Sequence, residues 1–71
     1  MKANEMFMEL KFRQIKNNNA MIVYVDIEND DFYITFYKLD KAIGGMGQTY
    51  DYYCDISMLK AINKQVEELG W

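Results

Sequence analysis

Carboxylates and tyrosines are the residues through which this chain could do chemistry. Asp26, Glu28, Asp30 and Asp31 crowd into one short run. A calcium loop counted from Asp26 would need Gly at its sixth position and Glu at its twelfth. Those positions hold Asp31 and Tyr37, so calcium coordination is not indicated. Asp30/Asp31 and Glu67/Glu68 are carboxylate pairs, but acid–base chemistry on a glycoside needs two carboxylates facing each other across a cleft. Gly44-Gly45-Met46-Gly47 lacks both the dinucleotide-binding spacing and the Lys-Ser/Thr pair of a phosphate loop. Cys54 has no neighbouring base to activate it and reads as a small apolar residue at a strand end.

The chain is 71 residues long, one small domain over residues 1–71, with no His, no Pro and one Cys. A domain of this size buries only about 60% of its unfolded surface, which leaves little room for a substrate cleft. Without His, Ser-His-Asp and Cys-His catalysis and Cys₂His₂ zinc sites are excluded within one chain. We expect no enzyme, no catalytic residue, no cofactor and no metal. One thiol cannot form an internal disulfide, which suits a reducing, cytoplasmic setting. No apolar run approaches the roughly 20 residues of a membrane span. Phe, Tyr, Met, Ile, Asn and Lys far outnumber Gly, Ala, Arg and Pro. That bias is expected of a low-GC genome, such as that of a Gram-positive bacterium or one of its phages, and it inflates the Tyr count.

The elements that must position these residues follow from hydrophobic period. Residues 6–15 alternate as a strand, although Met, Glu, Leu and Lys also suit a helix. Asn17-Asn18-Asn19 is a turn. Residues 21–27 and 32–39 flank the polar turn Glu28-Asn29-Asp30-Asp31 and predict a β-hairpin. Residues 40–47 form a loop, and residues 48–54 a shorter fourth strand. Met58, Leu59, Ile62, Val66 and Leu69 form one stripe of a C-terminal helix, capped by Asp55 or Ser57 and closed by Gly70. The fold class is α+β: an antiparallel three- or four-stranded meander, with one amphipathic helix on one face in the order β-β-β-β-α.

One helix cannot cover two sheet faces. In the register that packs Met8, Leu10, Val23, Val25, Ile34 and Phe36 under the helix, the other face carries Tyr24, Asp26, Tyr33, Thr35, Tyr37, Asp51 and Tyr53. A one-residue slip would exchange the faces. Tyrosine suits a binding face, with its large ring, polar tip and small entropy cost on fixing. It equally suits cross-strand packing that only stabilises the sheet.

The formal charge is −3, from eight bases and eleven acids. Residues 2–16 carry four bases and two acids, whereas residues 17–40 carry one base and five acids. A meander brings Glu28, Asp30 and Asp31 towards Asp55, with Asp26 and Asp51 farther along the sheet. The expected partner-binding set is therefore Tyr24, Asp26, Glu28, Asp30, Asp31, Tyr33, Tyr37, Asp51 and Tyr53. The expected function is a non-enzymatic protein-interaction module. It would dock an acidic, Tyr-bearing face on the basic surface of a protein partner, for example as a phage-type inhibitor of a host nucleic-acid-binding protein. The alternatives are a structural homodimer and a nucleic-acid-binding regulator using Lys11, Arg13 and Lys16. Acidity of the Tyr face argues against direct nucleic-acid contact.

Overall fold

Burial of Tyr24 organises the chain. In the computed structural model, which describes residues 1–45 and 54–71, its side chain is fully buried. It lies in the second strand of a four-stranded antiparallel sheet. The elements are α1 (Ala3–Glu9), β1 (Phe12–Asn17), β2 (Met21–Asp26), β3 (Tyr33–Tyr37), β4 (Ala42–Gly44) and α2 (Ile56–Leu69). Strand order is β1-β2-β3-β4, so the class is α+β and the sheet is a meander followed by a C-terminal helix.

The start of the chain departs from the expected strand over residues 6–15. A helix occupies Ala3–Glu9, and β1 begins only at Phe12. The physical reason is Phe7, which the strand pattern points away from the core. A helix puts Ala3 and Phe7 on one face, four residues apart, and both are fully buried. Met6 and Leu10 pack beside them, while Met8 is exposed. Two carboxylates satisfy the first turn. Glu5 accepts from the Lys2 N–H at 2.8 Å, and Glu68 of α2 accepts from the Ala3 N–H at 2.7 Å. The chain reverses at Lys11, whose φ of 66° is unusual for a side-chain-bearing residue.

β2 also differs from expectation, by one residue of register. Tyr24 pairs with Ile34, and Ile22 with Phe36. Ile22 and Tyr24 therefore face the helices, and Val23 and Val25 face away. Tyr24 is not on the open face as expected. It stacks on Phe7 with ring centroids 4.0 Å apart. Its hydroxyl donates to Gln65 Oε1 at 2.5 Å and accepts from Gln14 Nε2 at 3.1 Å. Val25 and Thr35 are nonetheless buried on the opposite face. β2 is thus apolar on both sides, and alternation alone could not orient it.

The fourth strand expected over residues 48–54 lies outside the described residues, except for Cys54. Within the expected loop, Ala42–Gly44 forms the strand β4. Helix α2 begins and ends as anticipated. Asp55 caps it by accepting from the Met58 N–H at 2.8 Å. Gly70, at φ 77°, closes it in the left-handed region. The Gly70 N–H donates to the Glu67 carbonyl and the Trp71 N–H to the Val66 carbonyl, a Schellman closure. That turn directs Trp71 back to the core, 6.4 Å from Phe36 between ring centroids. Leu59, expected in the buried stripe, is 44% exposed, and Ala61 and Gln65 line the core instead. Phe7, Tyr24, Ile34, Phe36, Met58, Ala61 and Ile62 belong to one cluster, so both helices cover the same sheet face.

Two measurements test this core. Ile62→Asp buries an unpaired charge, costs about 3–5 kcal/mol and should abolish cooperative melting. Tyr24→Phe leaves Gln65 without its donor and should cost about 1–3 kcal/mol in chemical denaturation at neutral pH. Burial pushes the Tyr24 phenol above its ordinary value; the Gln14 hydrogen bond pulls it down and the Glu68 charge pushes it up. Above the ordinary tyrosine pKa of about 10, the unfolded chain loses this proton while the folded chain keeps it. Stability therefore falls as pH rises from there through the raised folded value. That alkaline limb should be shallower in Tyr24→Phe.

Candidate functional site

The acidic turn is built by its own side chains. The Glu28 N–H donates to Asp26 Oδ1 at 2.8 Å, and the Asp31 N–H to Asn29 Oδ1 at 3.0 Å. Both are Asx turns, in which a short side chain takes the place of a backbone acceptor. The Phe32 N–H donates to the Asn29 carbonyl, and the Asp26 N–H to the Phe32 carbonyl. The Ile27 N–H reaches the Lys11 carbonyl at 2.9 Å, which ties the turn to the α1–β1 corner. Glu28, Asp30 and Asp31 are left exposed on this pinned turn. Asp26 has a structural role there instead of an open-face position, because it shares the parity of Tyr24 and its Oδ1 closes the turn.

Tyr33 and Tyr37 do lie on the helix-free face, in register with Val25 and Met21. Their rings lean across β4. Tyr37 Cε2 would stand 3.3 Å from a Cβ at Gly44, and the Tyr33 ring occupies the space of a Cβ at Gly45. The two glycines, read in the sequence as part of a loop, let the rings lie down; aromatic cover of edge glycines strengthens a sheet. Tyr37 keeps 38% of its surface exposed. Asp51 and Tyr53 lie outside the described residues.

The face differs in charge from expectation. The pairing of β1 with β2 shifts between Gln14 and Lys16, with Ile15 as the extra residue of a β-bulge. Gln14 opposes Tyr24 on the helix side, and Lys16 opposes Val23 on the other. Without the bulge, Arg13 and Lys16 would point to opposite faces. With it, both join Tyr33 and Tyr37. Among the described residues, the strand positions of this face carry two cations and no acid. Among the described residues the Tyr face is therefore basic along β1, and Glu28, Asp30 and Asp31 lie on the β2–β3 turn instead. Bulge and charges together also blunt β1 as an edge for strand pairing.

Other candidates are less developed. A shallow groove of about 240 Å³ is lined by Met1, Met6, Glu9, Leu10, Ser57 and Lys60 between the helices. That is below the roughly 300–1,000 Å³ of pockets that enclose a drug-sized ligand. No group of three or more Cys, Asp or Glu that could hold a metal occurs among the described residues. Cys54 is exposed, not buried as its sequence context implied. Desolvation, and then the Asp55 carboxylate, push its thiol up, which disfavours the nucleophilic thiolate. No helix among the described residues is long and apolar enough to cross a membrane.

Sequence reasoning placed Tyr33 and Tyr37 on the helix-free face and Glu28, Asp30 and Asp31 in the β2–β3 turn, where the structure has them. It missed Gln14, Gln65 and Glu68, whose polar atoms meet partners distant in sequence. It also missed that Arg13 and Lys16 share a face, since no local residue pattern announces the bulge.

Gly45 tests the tyrosine arrangement. Gly45 has φ 73°, and a Cβ there meets the Tyr33 ring. Gly45→Ala should cost at least about 1–2 kcal/mol from the left-handed backbone alone, read by chemical denaturation. It should also change Tyr33 fluorescence or its aromatic NMR shifts. Compared with protein-family models, with curated proteins and with solved structures, the chain matches none.

Proposed function

We propose that this protein is a non-enzymatic interaction module that docks on the basic surface of another protein. The observation that carries the reading is the pinned β2–β3 turn. It holds Glu28, Asp30 and Asp31 outward at the end of the sheet where Tyr33 begins. A rigid turn presents its carboxylates without first being ordered, which lowers the entropic cost of association. Complementary charge steers encounter, and adjacent aromatic surface supplies contact area. Basic grooves that bind nucleic acid are one such surface, and carboxylates set at fixed spacing could occupy the places of phosphates. In that role the protein would act as an inhibitor, as a phage or mobile-element product does towards a host factor. A formal charge of −3 is small for a full mimic of nucleic acid, so aromatic contact must contribute. A free, exposed Cys54 fits a reducing compartment such as the cytoplasm. Without His, and with Cys54 disfavoured as a thiolate, the side chains at hand favour binding over catalysis.

The triple change Glu28→Lys, Asp30→Lys and Asp31→Lys tests this. All three side chains are exposed, so the melting transition should persist. Affinity capture followed by mass spectrometry should enrich basic proteins with the native chain at low salt. The variant should lose them. Equal capture by both chains would remove the acidic turn as the docking site.

A further inference from the structure

We propose that the helix-free sheet face binds single-stranded nucleic acid along β1, with Arg13 and Lys16 on phosphates and Tyr37 under a base. The surface is distinct from the acidic turn. Its charge is the first argument. In a chain of net charge −3, the described strand positions of this face bear Arg13 and Lys16 and no carboxylate. Both cations are exposed, and neither side chain has a hydrogen bond or ion pair among the described residues. They stand free to meet an external anion.

Geometry is the second argument. The bulge at Ile15 sets Arg13 opposite Val25 and Lys16 opposite Val23, two residues apart along β2. Their backbones are therefore separated by about 7 Å in the strand direction, so the charges form a short row parallel to the strand. Tyr37 lies two strands away, beyond half-buried Met21, roughly 10 Å across the sheet and about 7 Å farther along it than Lys16. Its ring is braced against Gly44 and keeps 38% of its surface exposed. A cationic row with a braced aromatic ring diagonally across the sheet from Lys16 matches a strand whose phosphates follow one line and whose bases turn to one side. Single-strand binders combine these two elements, and every base offers a π face to the ring. A duplex keeps its bases stacked inside and cannot use Tyr37.

Fluorescence anisotropy with labelled oligo-dT and oligo-rU tests the assignment on the full chain. Binding should appear at low salt. With two phosphates engaged, log K should fall against log salt with a slope of about −1.4. Arg13→Glu with Lys16→Glu should abolish binding. Tyr37→Leu should weaken it about tenfold, within the range for loss of one stacked base. Tyr37→Trp should retain it. Thermal melting of each variant separates lost binding from lost folding. Absence of binding at low salt overturns the proposal. So does Tyr37→Leu binding as the native chain does, or a duplex binding as tightly as the single strand. If polyglutamate displaces the oligonucleotide equally well, the face is a site for acidic protein and the nucleic-acid assignment falls.

Discussion

A buried phenol with its hydroxyl satisfied is the constraint on which the rest of this fold depends. Tyr24 brings a large ring into the core, and a polar atom with it. That atom would be costly without partners. Gln14 on β1 and Gln65 on α2 supply them, so one hydroxyl ties three elements together. No buried side-chain polar atom among the described residues is left without a partner. Phe7 stacks on the same ring and anchors a helix of seven residues. Helices that short are not stable alone in water, so α1 exists because Tyr24 and Glu68 hold it.

The same constraint decides what the other sheet face presents. With Tyr24 inward, Asp26 shares its parity and is taken up by the turn, while Val23 and Val25 turn outward. The face thus loses a tyrosine and a carboxylate that alternation had assigned to it. It gains Lys16 through the bulge, which is tolerated because β1 is an edge strand and Ile15 can stand out of the ladder. Acidic and basic features are thereby separated within a small molecule. Glu28, Asp30 and Asp31 sit on a pinned turn, and Arg13 and Lys16 lie along the β1 edge of the face that carries Tyr37. Two surfaces of opposite sign follow from one orientation of β2.

Much of this was legible locally. The β2–β3 hairpin followed from two apolar runs around a polar turn, and the ends of α2 from Asp55 and Gly70. These features rest on neighbours in sequence. α1 was hidden because Ala3 and Phe7 mark the buried face four residues apart, whereas residues 6–15 alternate well enough to imitate a strand. β4 was hidden because Gly44 and Gly45 look like a loop until the rings of Tyr33 and Tyr37 are laid over them. Leu59 fits the apolar stripe of α2 yet lies on its exposed flank. Both helices sit on one sheet face, and α2 turns Ala61 and Gln65 into the core.

The missing His, the single Cys, the class of fold and the acidic turn were set by the sequence alone. Composition limits chemistry, and turn residues act through backbone angles within a few positions. Which face of β2 is buried, and so which charges accompany the tyrosines, was decided only by tertiary structure. Both faces of that strand are apolar, so burial energy differs little between its two orientations. The difference comes from Phe7, Gln14 and Gln65, three partners that only the folded chain brings to Tyr24.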